Sequence, residues 1–339
     1  MELTKNDTRM IQGLSVLAMV WLHLFDRSYE GLYQPILFLF GIPVSFYVAQ
    51  LCDFCVMGFA FCSGYAHYRL SEENDYFSKR KKSLLKLLIK YWIVLAVFCG
   101  ISILVGKKDI MPGSPITLIL SILTWSNAYN GAWWYLFVYI LIVLMSPWLQ
   151  KTVRTRSSAL VLLCGFAVYF AAYLIRFHLS FNNAFLFKLG PFGMTLFEYL
   201  MGSVAAKEQY FTKVSAVFGK WHKANRILIA MFLLAAILLG HTLIIPSLFV
   251  APVTGMMLIT IFHLWKKPAW ITKGMEYIGN HSTHIWLTHM FFFWNPFKGF
   301  AYKAVYPVCI FVLIICITLL VSAALNSVEK KVLSAVKLI

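Results

Sequence analysis

Histidine residues near both ends of this 339-residue sequence occupy positions where an ionisable side chain is unusual. His23 lies near the end of the first apolar run, and His289 lies inside a much later one. An imidazole gains or loses a proton near neutral pH, so it can act as a general acid or base. Because burying such a ring in hydrocarbon is costly, we treat His23 and His289 as candidate functional residues.

The segment that precedes His289 predicts how deep this residue lies. Ser282 is a good N-cap residue, and a helix that begins there carries His289 about 10 Å below the membrane surface, at about 1.5 Å per residue. His281 and His284 belong to the same segment but lie closer to its beginning. We therefore expect His289 to lie within the bilayer, where an ionisable ring needs a functional reason.

Composition indicates that lipid surrounds most of this chain. Hydrophobic residues make up 60% of the sequence and charged residues only 13%, too few to coat a soluble protein. The net charge of +17 would suit nucleic acid, but the basic residues are spread through short loops. We therefore predict an all-α, polytopic membrane protein whose environment is the lipid bilayer, with no nucleic acid partner. It forms a single membrane domain over 1–339, with helices from about 10 to 326 and no soluble domain.

The distribution of lysine and arginine predicts the topology. Most of these residues fall in loops that must share one side of the membrane, which the positive-inside rule places in the cytoplasm. About ten transmembrane helices with both termini cytoplasmic satisfy this rule. The apolar segments 36–48 and 115–125 are left over, and we expect them to be interfacial or re-entrant on the outer face. The predicted spans are 10–27, 51–70, 84–106, 132–150, 157–176, 190–206, 227–244, 247–265, 282–298 and 303–326.

Two acidic residues stand out among the apolar spans. Asp53 begins the second span on the same outer side as His23, so its carboxylate could orient that ring. The alternative is that both residues contact lipid headgroups at helix ends. Glu198 lies well inside a later span, where it either lines a polar cavity or makes a hydrogen bond between packed helices.

A basic cluster follows the second predicted span. It includes Arg80, and Lys82, Lys86 and Lys90 recur every four residues, so these three lysines share one helix face. Such a cluster ordinarily sets orientation and binds anionic headgroups. Because this face also enters the bilayer, the phosphates of a cytoplasmic cofactor are a second possible partner.

An aromatic segment, residues 125–135, lies at the predicted outer boundary and contains Trp133 and Trp134. One interpretation is an aromatic belt at the membrane interface. The other is a platform on which sugar rings stack, with Asn127 and Asn130 binding hydroxyl groups. The two interpretations are compatible.

Five short blocks, in this order and spacing, resemble the acyltransferase 3 family of integral-membrane O-acyltransferases over most of the chain. The last block, with its G-x-x-S start and terminal His289, is the most specific. Gln12 stands where the family has arginine, with Arg9 one turn earlier, and Met57 stands where the family has an acid, with Asp53 one turn earlier. The blocks are Arg9 to His23, Val56 to Tyr65 with Ser63-Gly64, basic residues before Tyr91-Trp92, Trp133 to Leu136, and Gly279 to His289.

The resemblance implies transfer of an acyl group, most often acetyl from acetyl-CoA, to a hydroxyl of a cell-surface glycan that is lipid-linked or exported. It implies a bacterial cytoplasmic membrane protein with acetyl-CoA as co-substrate and no metal. The alternative is a carrier or flippase for a lipid-linked saccharide, without covalent chemistry. The implied roles are catalysis for His23, Asp53 and Arg9, donor binding for Lys82, Lys86, Arg80 and Gln12, and substrate or cavity contacts for Ser63, Glu198, Trp133, Trp134 and His289.

Overall fold

The computed structural model describes residues 2–27, 29–179, 184–221, 223–243 and 247–338. In these ranges the chain is mainly helical, with one antiparallel pair of two-residue strands, β1 (Phe38–Leu39) and β2 (Ile42–Pro43). The helical fold class is therefore confirmed. The helices are α1 Lys5–Phe25, α2 Val44–Leu51, α3 Cys55–Leu70, α4 Tyr76–Leu104, α5 Pro115–Ile122, α6 Trp134–Thr155, α7 Ser158–Phe177, α8 Ala184–Lys207, α9 Tyr210–Gly219, α10 Lys223–Leu243, α11 Ala251–Leu264, α12 Ala269–Thr288 and α13 Pro307–Ala335.

Six helical segments of the described chain are long and apolar enough to cross a bilayer, so the protein is a multi-pass membrane protein. Each overlaps a predicted span. α5 has only eight residues, about 12 Å of helix, and is too short to cross. The full count of ten spans and the cytoplasmic termini stay predictions. The six segments are Lys5–Phe25, Val44–Leu70, Tyr76–Leu104, Gly131–Thr155, Ser158–Phe177 and Pro307–Ala335.

The predicted span 282–298 is wrong. α12 begins earlier, at Ala269 directly after Pro268, and ends at Thr288, so Ser282 lies in its interior and is not an N-cap. A tight 3₁₀ turn, His289–Phe292, follows. Polar side chains near position 282 suggested a helix start, but they are satisfied inside the protein: Nδ1 of His281 lies 2.7 Å from Oγ of Ser322.

The described chain forms two compact units, each assembled from three separate segments of sequence. The first unit contains Met1–Met19, Gln50–Tyr76 and Met145–Asn280, and the second contains Val20–Ala49, Phe77–Leu144 and His281–Ile339. The five boundaries between these segments fall within α1, α2, α4, α6 and α12. The predicted single domain over 1–339 stays a prediction.

Close packing of α3 on α8 organises the first unit. A Cβ added at Gly64 would overlap the backbone carbonyl of Tyr199, and one added at Gly202 would overlap the carbonyl of Phe61. Only glycine allows the two backbones to approach this closely. The Ser63-Gly64 pair, noted in the sequence for its resemblance to a family motif, thus contributes a packing contact.

Glycine residues also allow close packing of α1 on the first part of α12. A Cβ at Gly279 would overlap the carbonyl of Arg9, and a Cβ at Gly13 would overlap the carbonyl of Met275. The glycine that opens the most specific sequence block is therefore required for helix contact. It fixes where α12 crosses α1 within the first unit.

Candidate active site

His23 and His289 form a hydrogen-bonded pair in the second unit. His23 lies in the last turn of α1, and His289 opens the 3₁₀ turn that follows α12. Nδ1 of His23 is 2.8 Å from Nε2 of His289, and the ring planes differ by only 12°. Parallel rings stacked face to face could not bring two nitrogens this close, so the rings meet edge to edge. His289 is fully buried, whereas His23 is partly exposed.

Backbone carbonyls fix the direction of this hydrogen bond. Nδ1 of His289 lies 3.0 Å from the carbonyl oxygen of Ile285 and 2.9 Å from that of Trp286. A carbonyl oxygen can only accept, so Nδ1 of His289 carries the proton. In the neutral pair Nε2 of His289 then accepts, and Nδ1 of His23 donates to it. This leaves the lone pair of His23 on Nε2, for which the structure shows no hydrogen bond among the described residues.

The last turn of α12 is held by the segment that precedes α6. The indole N–H of Trp133 and the side-chain amide of Asn130 both donate to the carbonyl of Leu287, each at 3.0 Å. In return the indole N–H of Trp286 donates to the carbonyl of Ala132 at 3.0 Å. These three bonds hold the last turn of α12, in which the carbonyls of Ile285 and Trp286 orient His289.

A buried charged cluster lies along the same helix, about 7.5 Å before His289 at 1.5 Å per residue. Glu329 of α13 lies 3.1 Å from Nζ of Lys90 and 3.4 Å from Nε2 of His284. Nδ1 of His284 is in turn 3.0 Å from Oγ of Ser322. Sequence analysis missed Glu329 because the last span was ended at residue 326, whereas α13 continues to Ala335.

A family model described as an acyltransferase domain matches residues 9–327, nearly the whole chain and all four histidines discussed above. The chain belongs to the acyltransferase 3 family. It is therefore a membrane acyltransferase, and the histidine pair lies in the matched region. No curated protein and no solved structure shows significant similarity to the chain.

The basic residues of α4 in this acyltransferase differ in exposure and in their partners. Lys82 is exposed, Arg80 and Lys86 are partly buried, and Lys90 is bound to Glu329. An internal carboxylate therefore neutralises Lys90, for which an anionic ligand had been considered. Lys82 and Lys86 stay predicted donor-binding residues, and both belong to the same unit as the histidine pair.

The predicted aromatic platform divides into two parts. Trp133 is only 2% exposed and its ring packs edge-on against Tyr91 and Phe291, at 4.7 and 5.6 Å between centroids. Trp134 is partly buried and makes an edge contact with Tyr135. Trp133 therefore supports the last turn of α12 from within the protein.

The remaining predicted site residues belong to the first unit. Asp53 and Glu198 are 3% and 4% exposed, so this unit buries two carboxyl groups. Ser63 donates to the carbonyl of Phe59 in its own helix, at 2.9 Å. Arg9 and Gln12 lie partly buried on α1. Nδ1 of His23 is bonded to His289, and orientation of the His23 ring by Asp53 stays a prediction.

Proposed function

We propose that this acyltransferase transfers acetyl from acetyl-CoA to a hydroxyl of a cell-surface or lipid-linked polysaccharide, at the bacterial cytoplasmic membrane. His23 is the proposed general base. One observation carries this role: the 2.8 Å bond to His289, itself bonded to two carbonyls, leaves Nε2 of His23 as the basic nitrogen. A general base needs such a fixed tautomer, because the wrong one presents a proton to the substrate.

In direct transfer Nε2 of His23 removes the proton from an acceptor hydroxyl as its oxygen attacks the thioester carbonyl. The new C–O bond forms and the C–S bond breaks, so the coenzyme leaves as a thiolate and takes the proton from His23. His289 accepts the Nδ1 hydrogen bond throughout and stabilises the imidazolium formed in between. The reaction thus converts an alcohol and a thioester into an ester and a free thiol, and all atoms and protons are accounted for.

A two-step route uses the same nitrogen. Nε2 of His23 attacks the thioester, the C–S bond breaks and the thiolate leaves, and the acyl group stays on Nε2 until the acceptor hydroxyl displaces it; the hydroxyl proton neutralises the thiolate. The fixed tautomer supports this route equally well, because it again requires a free lone pair on Nε2. A covalent acyl-histidine trapped without acceptor would select this route.

The charges of α4 support acyl-CoA as the donor. Coenzyme A carries several phosphates, and Lys82 and Lys86 present two cations on one helix face. The next lysine on that face, Lys90, is bound to Glu329, which in turn contacts His284 on the helix that carries the His289 carbonyl partners. Lys82, Lys86 and the histidine pair thus belong to one unit, in which Glu329 joins Lys90 of α4 to His284 of α12.

Aromatic residues near His23 support a sugar as the acceptor. The hydroxyl of Tyr302 donates to the carbonyl of Leu24, the residue after His23, at 3.1 Å. The ring of Tyr302 lies parallel to that of Tyr33, with centroids 6.5 Å apart. Aromatic faces of this kind stack on the C–H faces of pyranoses.

The test is incorporation of labelled acetyl from acetyl-CoA by membranes that contain the protein, followed by mass spectrometry of the surface polysaccharide. We expect the label in glycan and a mass increase of one acetyl group per modified sugar. Membranes with His23→Ala provide the control. Saccharide movement without covalent label would contradict the proposal and support a carrier.

A further inference from the structure

Arg27 lies one helical turn beyond His23 and in the same unit. One of its terminal nitrogens donates to the carbonyl of His23 at 2.9 Å. Its guanidinium lies over the indole of Trp294, 5.5 Å from the ring centroid. Trp294 is held by a backbone bond to the carbonyl of Met290, at 2.8 Å. Arg27 follows His23 by four residues, and Trp294 follows His289 by five. The contact between Arg27 and Trp294 therefore lies next in sequence to the histidine pair.

Most of the hydrogen-bonding capacity of Arg27 is unused. A guanidinium carries five N–H groups, and the described part of the chain provides an acceptor for only one of them. Glu30 follows Arg27 three residues later, yet within the described part of the chain its carboxylate forms no ion pair with Arg27. A partly buried cation with unused donors favours an anionic ligand.

The contact with Trp294 restricts how that ligand can approach. The face of the indole covers one side of the guanidinium, so an anionic acceptor must approach from another side, where a guanidinium can bind a planar group bidentately. Arg27 lies two residues beyond the end of α1, and its guanidinium donates to the carbonyl of His23 itself at 2.9 Å. Because the guanidinium lies against the residue that carries the basic nitrogen, one saccharide unit can reach both residues.

We infer that Arg27 selects an acceptor that carries an anionic group, a carboxylate or a phosphate, next to the hydroxyl that is acylated. This inference rests on the proposed function, since it names the substrate class of the same site. Two sources supply such a group: a uronic acid in the glycan, or the phosphate that joins a saccharide to its lipid carrier. A purely structural role for Arg27, capping α1 at its C-terminus, would give no preference between charged and neutral acceptors.

The test measures binding without any acyl donor, on full-length protein in lipid nanodiscs by titration calorimetry. The probes are octyl β-glucuronide, farnesyl phosphoglucose and the neutral octyl β-glucoside. We expect at least one anionic probe to bind the natural protein about 10-fold to 100-fold more tightly than the neutral one, from one charged hydrogen-bonding contact. Whichever anionic probe binds tightly identifies the source of the charge.

Two variants make the result specific to Arg27. Arg27→Gln should bind all three probes equally and leave the affinity for octyl β-glucoside unchanged. Lys303→Gln, which removes an exposed cation of the same unit, should keep the full preference. Equal affinities in the natural protein, or an equal loss for all probes in Arg27→Gln, would overturn the inference.

The two proposals can fail separately. His23→Ala should lose acetyl transfer but keep the preference for the anionic probe, because Arg27 is intact. Tight anion binding in a protein that transfers no acetyl would count against the proposed function alone. Transfer that proceeds equally well to charged and neutral acceptors would count against the role of Arg27 alone.

Discussion

Nδ1 of His23 lies 2.8 Å from Nε2 of His289, although 266 positions separate the two residues in sequence. The bond joins the end of α1 to the 3₁₀ turn after α12, and backbone carbonyls fix the ring at its His289 end. His289 binds the carbonyls of Ile285 and Trp286. Because carbonyl oxygens only accept, Nδ1 of His289 must donate to them, and Nδ1 of His23 must in turn donate to Nε2 of His289.

His289→Ala should lower the rate of acyl transfer by about 100-fold, because Nδ1 of His23 loses its acceptor and the ring loses its fixed tautomer. His289→Gln should restore part of the rate, since its side-chain oxygen can accept the same hydrogen bond. The measurement is kcat for acetyl transfer in purified membranes, with equal amounts of folded protein. His178→Ala, which changes an exposed histidine, is the matched control. Equal rates for His289→Ala and the natural protein would show that His289 does not position His23.

Lys82→Gln combined with Lys86→Gln should raise KM for acetyl-CoA by about 10-fold with little change in kcat, because two cations that attract the donor phosphates are lost. Added salt should weaken donor binding to the natural protein and have less effect on the double variant. Lys151→Gln, an exposed lysine of the first unit, is the control for loss of charge. An unchanged KM would remove both lysines from donor binding.

The sequence predicted this site in part because intramembrane histidines are rare for a physical reason. The cost of burying His23 and His289 marked both residues, and hydropathy placed helices over six regions where the structure has them. Their pairing could not be predicted, because hydropathy and spacing say nothing about which side chains meet across separate helices. Asp53 was a candidate partner instead, because the predicted topology places it at the start of a span on the same outer side as His23.

Glu329→Gln should destabilise the protein by about 2 kcal/mol, because the partly buried ammonium of Lys90 loses its counter-charge. Glu329→Leu combined with Lys90→Met should recover most of this loss, since no buried charge is then left alone. The free energy of unfolding in detergent, measured with denaturant, checks both variants. If Glu329→Gln were as stable as the natural protein, the ion pair would contribute nothing to the fold.

Gly64→Ala should destabilise the first unit by about 1–3 kcal/mol, because a Cβ there overlaps the carbonyl of Tyr199 and forces α3 away from α8. Gly100→Ala is the matched control: that glycine also lies in a helix, but a Cβ there has no other atom within 4 Å. Thermal unfolding in detergent compares the two. A lower stability for Gly100→Ala than for Gly64→Ala would contradict the packing role.

The error at Ser282 shows where sequence patterns are ambiguous. A serine beside two histidines is typical of a helix start, but a buried partner on another helix can satisfy such side chains within a helix. Ser322 is that partner for His281 and His284, and Glu329 continues the polar strip along α13. Ser322 and Glu329 follow a long apolar run, and hydropathy therefore predicted that the last helix ends at residue 326. In the structure α13 continues to Ala335, and its polar side chains contact α12.

The catalytic role of His23 is tested most directly by acetyl transfer with His23→Ala and His23→Gln proteins that are shown to be folded and inserted. Labelled acetyl-CoA is supplied to membranes, and label in surface polysaccharide is counted against the natural protein at equal abundance. The role of His23 predicts that both variants fall to the background of membranes without the protein, because each loses the lone pair that Nε2 of His23 supplies. Acetylation at the natural level by His23→Ala would contradict it.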